Sequence, residues 1–251
     1  MNHSDFQVLT TGQTPGDFFF SFVLMNHILD NPAWNALISG NSQFSNGTEQ
    51  VKYFDKEISP FIGMAEYTAQ NFQALYELIP HDEPVGFVVP EVIQIPGIWR
   101  VLAKINAFQM VYSQPELPAG TLTDPVPLVE KHIPEMIGLT KLTNPGPFSQ
   151  RTIELGHYQG FFEKDKLIAM AGQRLNPSPY AEISAVCTHP DHLGKGYAKQ
   201  LLLSQIQRII AASGTPFLHV RNDNERAVKV YEHSGFSTRK EVYFYFIKKT
   251  K

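Results

Sequence analysis

This 251-residue sequence predicts a mixed α/β fold, and three stretches carry the prediction. The first covers residues 181–212. It opens with a short apolar strand through Ile183, Ala185, Val186 and Cys187 and turns between His189 and Gly196. A long helix follows, with Ala198, Leu202, Ile206 and Ile209 spaced to share one buried face. The second repeats that order. Residues 217–221 read as a strand, Ala227, Val228, Val230 and Tyr231 as a helical apolar set, and Gly235 stands where a helix end favours positive φ. The third is a hairpin of 157–162 against 166–173 around a polar turn.

Taken in order, residues 1–17 are polar, with Gly12, Pro15 and Gly16, and are expected to be partly mobile. Residues 18–39 read as helix interrupted at Asn31-Pro32, since the residue before proline avoids helical angles. A loop at 41–48 precedes a strand at 51–54. A helix at 69–79 puts Phe72, Leu75, Tyr76 and Ile79 on one face. Strands follow at 86–90 and 99–112, the second expected to break near Lys104. Pro115, Pro118, Gly120, Pro125 and Pro127 mark a linker. Beyond it, 128–142 reads as a helix, 148–155 as a second short one, and 241–248 as a closing strand. The expected division is an N-terminal α/β domain at 1–120 and a second domain at 121–251.

Hydrophobic residues make up 43% of the chain and charged ones 18%, which describes a folded protein and not a disordered one. A net charge of −3 argues against nucleic acid or an anionic membrane as the main partner. One cysteine allows no internal disulfide and fits a reducing, cytoplasmic setting. The start of the chain has no basic region before an apolar core, and the apolar run at 18–29 is interrupted by Ser21, Asn26 and His27, so neither a signal peptide nor a membrane span is expected.

The turn at 193–198 has a chemical use. A helix start carries unpaired N–H groups and the positive end of the helix dipole. Gly194 and Gly196 let backbone approach an anion without a Cβ, and Lys195 adds charge, so a diphosphate is the natural guest. A dinucleotide-binding fingerprint fits less well, because the third glycine is missing.

The strand ending Val186-Cys187-Thr188, the loop Gly194-Lys195-Gly196-Tyr197-Ala198 and the segment Asn224…Ala227…Tyr231…Gly235-Phe236 together resemble the GNAT superfamily of acetyl-CoA-dependent N-acyltransferases. Pro145-Gly146-Pro147-Phe148, Arg151-Thr152 and 184–190 bring the chain nearest to its FR47-like group. The loop departs from the family pattern at Asp191, where Gln or Arg is usual, and at Leu193, where a polar or basic residue is usual.

The resemblance implies a mixed, mostly antiparallel central sheet flanked by helices, with a first half that would be a degenerate GNAT-like repeat lacking the cofactor loop. It implies acetyl-CoA as co-substrate and no metal, and a small-molecule or peptide amine as acceptor, bound by a monomer or homodimer. It assigns Val186, Cys187 and Thr188 to the cofactor's arm, Leu193 through Ala198 to the diphosphate and Asn224 to the arm, with a helix N-cap as Asn224's alternative. Tyr231 becomes the acid for the departing thiolate, against a plain core tyrosine. Glu182 becomes the base, against a solvated charge at a strand end. Glu154, His157 and Glu163 are weaker candidates. Cys187 reads as a buried apolar filler. Two other functions remain open: longer-chain acyl transfer to an amino acid, in the manner of glycine N-acyltransferase-like proteins, and a CoA-binding sensor without turnover.

Overall fold

The structure, a computed structural model, describes residues 27–114 and 125–250. The expectations for 1–26 and for most of the linker, including the 120/121 boundary, lie outside the described residues. A 3-10 turn at Ile28–Asp30 leads to helix α1 (Pro32–Leu37), whose first position is the proline, where the missing N–H is tolerated. The stretch expected as loop instead holds a 3-10 turn, Ser42–Phe44, and a three-residue strand, β1 (Ser45–Gly47). With β2 (Val51–Phe54) and β3 (Ile62–Met64) it makes a small antiparallel sheet. Helix α2 (Ala69–Leu78) starts under the Thr68 hydroxyl, which accepts the Asn71 N–H, and buries Phe72 and Leu75.

The main sheet has eight strands: β4 (Val85–Val89), β5 (Trp99–Tyr112), β6 (Val126–Pro127), β7 (Gln159–Glu163), β8 (Lys166–Gln173), β9 (Tyr180–Thr188), β10 (Thr215–Arg221) and β11 (Phe236–Lys249). Their spatial order is β4-β11-β5-β10-β9-β8-β7-β6. Among the described residues only β9 and β10 of this sheet pair in parallel, so the expected mixed, mostly antiparallel sheet is the one observed.

Further local expectations change. Strand β5 does not break at Lys104, because that residue stays in register opposite Tyr245 of β11. For the same reason β11 begins well before residue 241, its start paired with Tyr112. The second short helix shrinks to a 3-10 turn, Thr152–Leu155: ahead of it the Arg151 N–H bonds the Glu57 carbonyl and the Ser149 N–H bonds the Thr152 hydroxyl, which holds 148–151 outside a helical ladder.

β4 and β5 come from the first half of the chain yet lie in the same sheet as β6 to β11, and β5 is wedged between β10 and β11. Position 120 therefore divides the sequence without dividing the sheet.

Helix α4 (Tyr197–Ala211) and helix α5 (Glu225–His233) cover one face. There Leu202, Leu203, Ile206 and Ile209 pack on Ile183, Leu218, Val220 and Phe236. Helix α3 (Ile133–Thr143) covers part of the other face, on Leu167, Met170, Ala185 and Cys187. The remainder of that face lies under the first half, with Leu29, Ala33 and Leu37 against Phe217, Val242 and Phe244. Fully burying a side chain of this size is worth about 1.5–3 kcal/mol, so both faces hold the sheet.

Candidate active site

Strands β9 and β10 part company at the centre of the sheet. Their parallel pairing covers only Tyr180–Glu182 against Thr215–Phe217. Beyond it β9 carries a bulge: Ala185 has φ 53°, and the register with β8 shifts between Met170↔Cys187 and Gly172↔Ser184. The strands diverge into a fork whose β9 edge runs past Val186, Cys187 and Thr188. A diverging strand edge is where a chain-like ligand can add itself through main-chain hydrogen bonds. Val186 packs toward α4, and Cys187 is buried toward α3. The Thr188 hydroxyl is buried with no hydrogen-bond partner among the described residues, as is Oε1 of Gln200 in the first turns of α4. Buried polar atoms of this kind cost stability unless something satisfies them.

The loop after the fork is open. Leu193 is 48% exposed, and Gly194 and Gly196 have φ 79° and 83°. A Cβ built on either glycine would meet nothing within 4 Å. Gly196 is the N-cap of α4 and brings no side chain to cap Tyr197, Ala198 and the following amides. The first turn of a 15-residue helix thus presents its donors and dipole to the open space beside the two glycines. The Lys195 ammonium lies 3.3 Å from Nδ1 of His192, which in turn is 3.8 Å from the Glu163 carboxylate. The orphaned Thr188 hydroxyl and the cradle free of Cβ atoms both suit acetyl-CoA, whose arm would follow the β9 edge and whose diphosphate would lie on the loop.

Tyr231 on α5 packs against Phe236 and shares a core cluster with Ile183 and Val186 of β9. Burial, with a smaller contribution from Cys187, pushes its phenol up to about 12. Burial likewise pushes the thiol up to about 11, so Cys187 stays protonated, as a filler would. Asn224 is the N-cap of α5, its Oδ1 accepting the Ala227 N–H at 3.2 Å.

Glu182 departs from both readings made of it. It is neither solvated nor a free base, being 0% exposed. Arg174 grips it through Nη2 at 2.6 Å and Nε at 3.0 Å, Nδ1 of His219 lies 2.7 Å away, and the Leu175 N–H adds a longer contact. Burial alone would raise its carboxyl, but Arg174 and His219 outweigh burial and hold it at about 2. A carboxylate so engaged is a poor acceptor for an amine's proton.

The weaker candidates stand elsewhere. Glu154 is bound by Arg151, and Glu163 is a surface residue on β7. His157, lowered by burial and then by Arg208, lines a cavity of about 660 Å³ at the far end of α4. Among the described residues no three His, Cys, Asp or Glu side chains are grouped to hold a metal ion.

Sequence reading missed Arg174 and His219. Arg174 lies in the loop just after β8, eight residues before Glu182, and His219 sits in a strand whose pattern is otherwise mostly apolar. The one available signal was a pair of ionisable residues, Glu182 and His219, within largely apolar strands.

The FR47-like protein family matches residues 158–245. A crystal structure from Novosphingobium aromaticivorans DSM 12444, assigned to the GNAT family of acetyltransferases, superposes with a TM-score of 0.83 at 31% identity, over 90% of this chain and 100% of that one. An acetyltransferase of the GNAT family from Colwellia psychrerythraea gives 0.51 at 15% identity, over 79% and 80%. A GCN5-related N-acetyltransferase from Kribbella flavida gives 0.53 at 10%, over 87% and 96%. The last two are alike in fold alone. An uncharacterized protein of Mycobacterium leprae (strain TN) is 33% identical over 100 residues, 37% of this chain and 27% of that protein's length. No helix among the described residues is long and apolar enough to cross a membrane.

Proposed function

This chain belongs to the GNAT family of acetyltransferases, and from that premise we propose that it transfers an acetyl group from acetyl-CoA to a primary amine by direct attack in a ternary complex. The observation that carries the reading is the fork between β9 and β10, opening onto the uncapped start of α4. Together they make one backbone-lined path, suited to a diphosphate with a long amide-bearing arm.

When bound, acetyl-CoA supplies the acyl group already activated as a thioester. The amides from Gly194 to Ala198 hold the diphosphate, with Lys195 adding charge. Main-chain N–H groups near Val186 to Thr188 receive the arm and stand where negative charge develops on the acyl oxygen. Tyr231, protonated at any working pH, donates a hydrogen bond or its proton to the departing sulfur. With Glu182 committed to Arg174 and His219, the amine's proton leaves through water. The first half walls the acceptor side of the fork.

The test is thiol release from acetyl-CoA across a panel of small amines, amino acids and peptides, preceded by thermal shift with CoA. Acyl transfer to one acceptor class supports the reading. Stabilisation by CoA without turnover would make the chain a sensor. A preference for longer acyl groups with an amino acid would favour the acyl-glycine type of chemistry. Absence of any CoA binding overturns the reading.

A further inference from the structure

The Glu182–His219 pair stands at the point where β9 and β10 separate. Glu182 lies opposite Phe217 in the last backbone-paired rung, and His219 is the next residue of β10 on the same face. Their side chains meet at 2.7 Å and are 1% and 2% exposed. This single contact therefore ties the two prongs one step into the fork.

The chemistry of that contact is set by residues of the first half. Gln109 of β5 donates through Nε2 to the Leu29 carbonyl at 2.8 Å, and the same nitrogen lies 3.0 Å from Nε2 of His219. Its Oε1 accepts from Nε of Arg239, whose Nη2 is held by Asp30. With its oxygen so engaged, Gln109 can offer His219 only an N–H. His219 Nε2 is thus the acceptor, and the ring's hydrogen sits on Nδ1, donated to Glu182. Asp30, Arg239, Gln109, His219, Glu182 and Arg174 form one connected chain, in which Arg239 donates to both Asp30 and Gln109 and Glu182 accepts from both His219 and Arg174.

Phe217 and Phe244 pack edge-on against the His219 ring, so an apolar side chain would fill this space without desolvating charges. What the polar chain adds is a fixed distance and orientation between two strands.

We propose that Glu182 and His219 are positioning residues: a clasp that fixes the opening of the fork for the arm of CoA, with Gln109 setting the direction of the clasp. This rests on the acetyl-CoA reading above. It gives the first half a part in the transfer site that neither the cofactor loop nor Tyr231 supplies.

The test compares two probes by calorimetry: CoA, and 3′-phosphoadenosine 5′-diphosphate, its nucleotide half without the arm. In His219→Leu, CoA affinity is expected to fall about tenfold, one hydrogen bond's worth, and the KM for acetyl-CoA to rise alike. The nucleotide half should bind as to the wild type. Gln109→Leu, which reaches the clasp only through His219, should give the same split, and it carries the test if His219→Leu does not fold. Equal weakening of both probes marks a general loss of structure and overturns the clasp, as do unshifted affinities. A wild-type chain that binds neither probe overturns the parent reading and the clasp with it, whereas wild-type binding with unshifted variants overturns the clasp alone.

Discussion

At its Thr188 end, β9 meets an open loop built of backbone, where glycines at φ 79° and 83° leave space around unpaired amides. At its Tyr180 end the same strand is sealed by side chains, with Glu182 gripped by Arg174 and His219 under the first half of the chain. The contrast separates two ways of building a site. The open end presents groups that every residue carries, so few side chains there need be of a particular type. The closed end depends on particular side chains arriving from β9, β10, β5, β11 and the loop just after β8 at hydrogen-bond distance.

Measurements that break or sharpen this contrast can be ranked by expected effect. The largest belongs to the closed end. Glu182 has a folded value of about 2 against an ordinary 4.5, and a lowered carboxylate stabilises above its unfolded value. Its contribution of about 3 kcal/mol should be intact above pH ~4.5 and drain away as pH falls toward ~2. Urea unfolding from pH 7 to 3 should show this slope in the wild type and a flatter one in Glu182→Gln; parallel slopes would mean that the buried charge does not hold this end.

Next comes Tyr231→Phe, which keeps the packing against Phe236 and removes the donor. Its kcat should fall about a hundredfold while the KM for acetyl-CoA stays put, and unchanged steady-state turnover would return Tyr231 to the role of a core aromatic.

At the open end, Gly196→Val forces a branched residue into φ 83° and places bulk in the cradle. Strain on the order of 1–2 kcal/mol and the lost approach together predict CoA binding weakened about tenfold. Calorimetry that found the affinity intact would show that the loop is not the diphosphate seat. The smallest effect is Asn224→Ala. Loss of the cap on α5 should cost about 1 kcal/mol in thermal unfolding, and a drop in CoA affinity beyond that would add the arm contact to its role.

Much of the open end was legible in the sequence. A glycine pair at a strand-to-helix turn and a helix begun without a capping side chain are local features, and Asn224 as a cap is equally local. The closed end was not. Glu182 in a short apolar strand looks the same in sequence whether it meets water, substrate or Arg174, because its partners lie 8 and 37 residues away. The expected break in β5 failed for a related reason: Lys104 is an ordinary interruption in a local pattern, yet a full-length partner strand holds it in place.

Local chemistry thus determined, from sequence alone, most of the element types, the glycine turn at 193–198 that leads into a long helix, and the tyrosine-bearing helix that follows a second strand. Each rests on propensities and spacings that act within one or two turns of chain. Only the tertiary structure decided that β5 of the first half lies between β10 and β11, and that Glu182 is buried between Arg174 and His219. Strand order and the partner of a buried charge are set by contacts between residues far apart in the chain, and no local pattern encodes which distant residue will arrive.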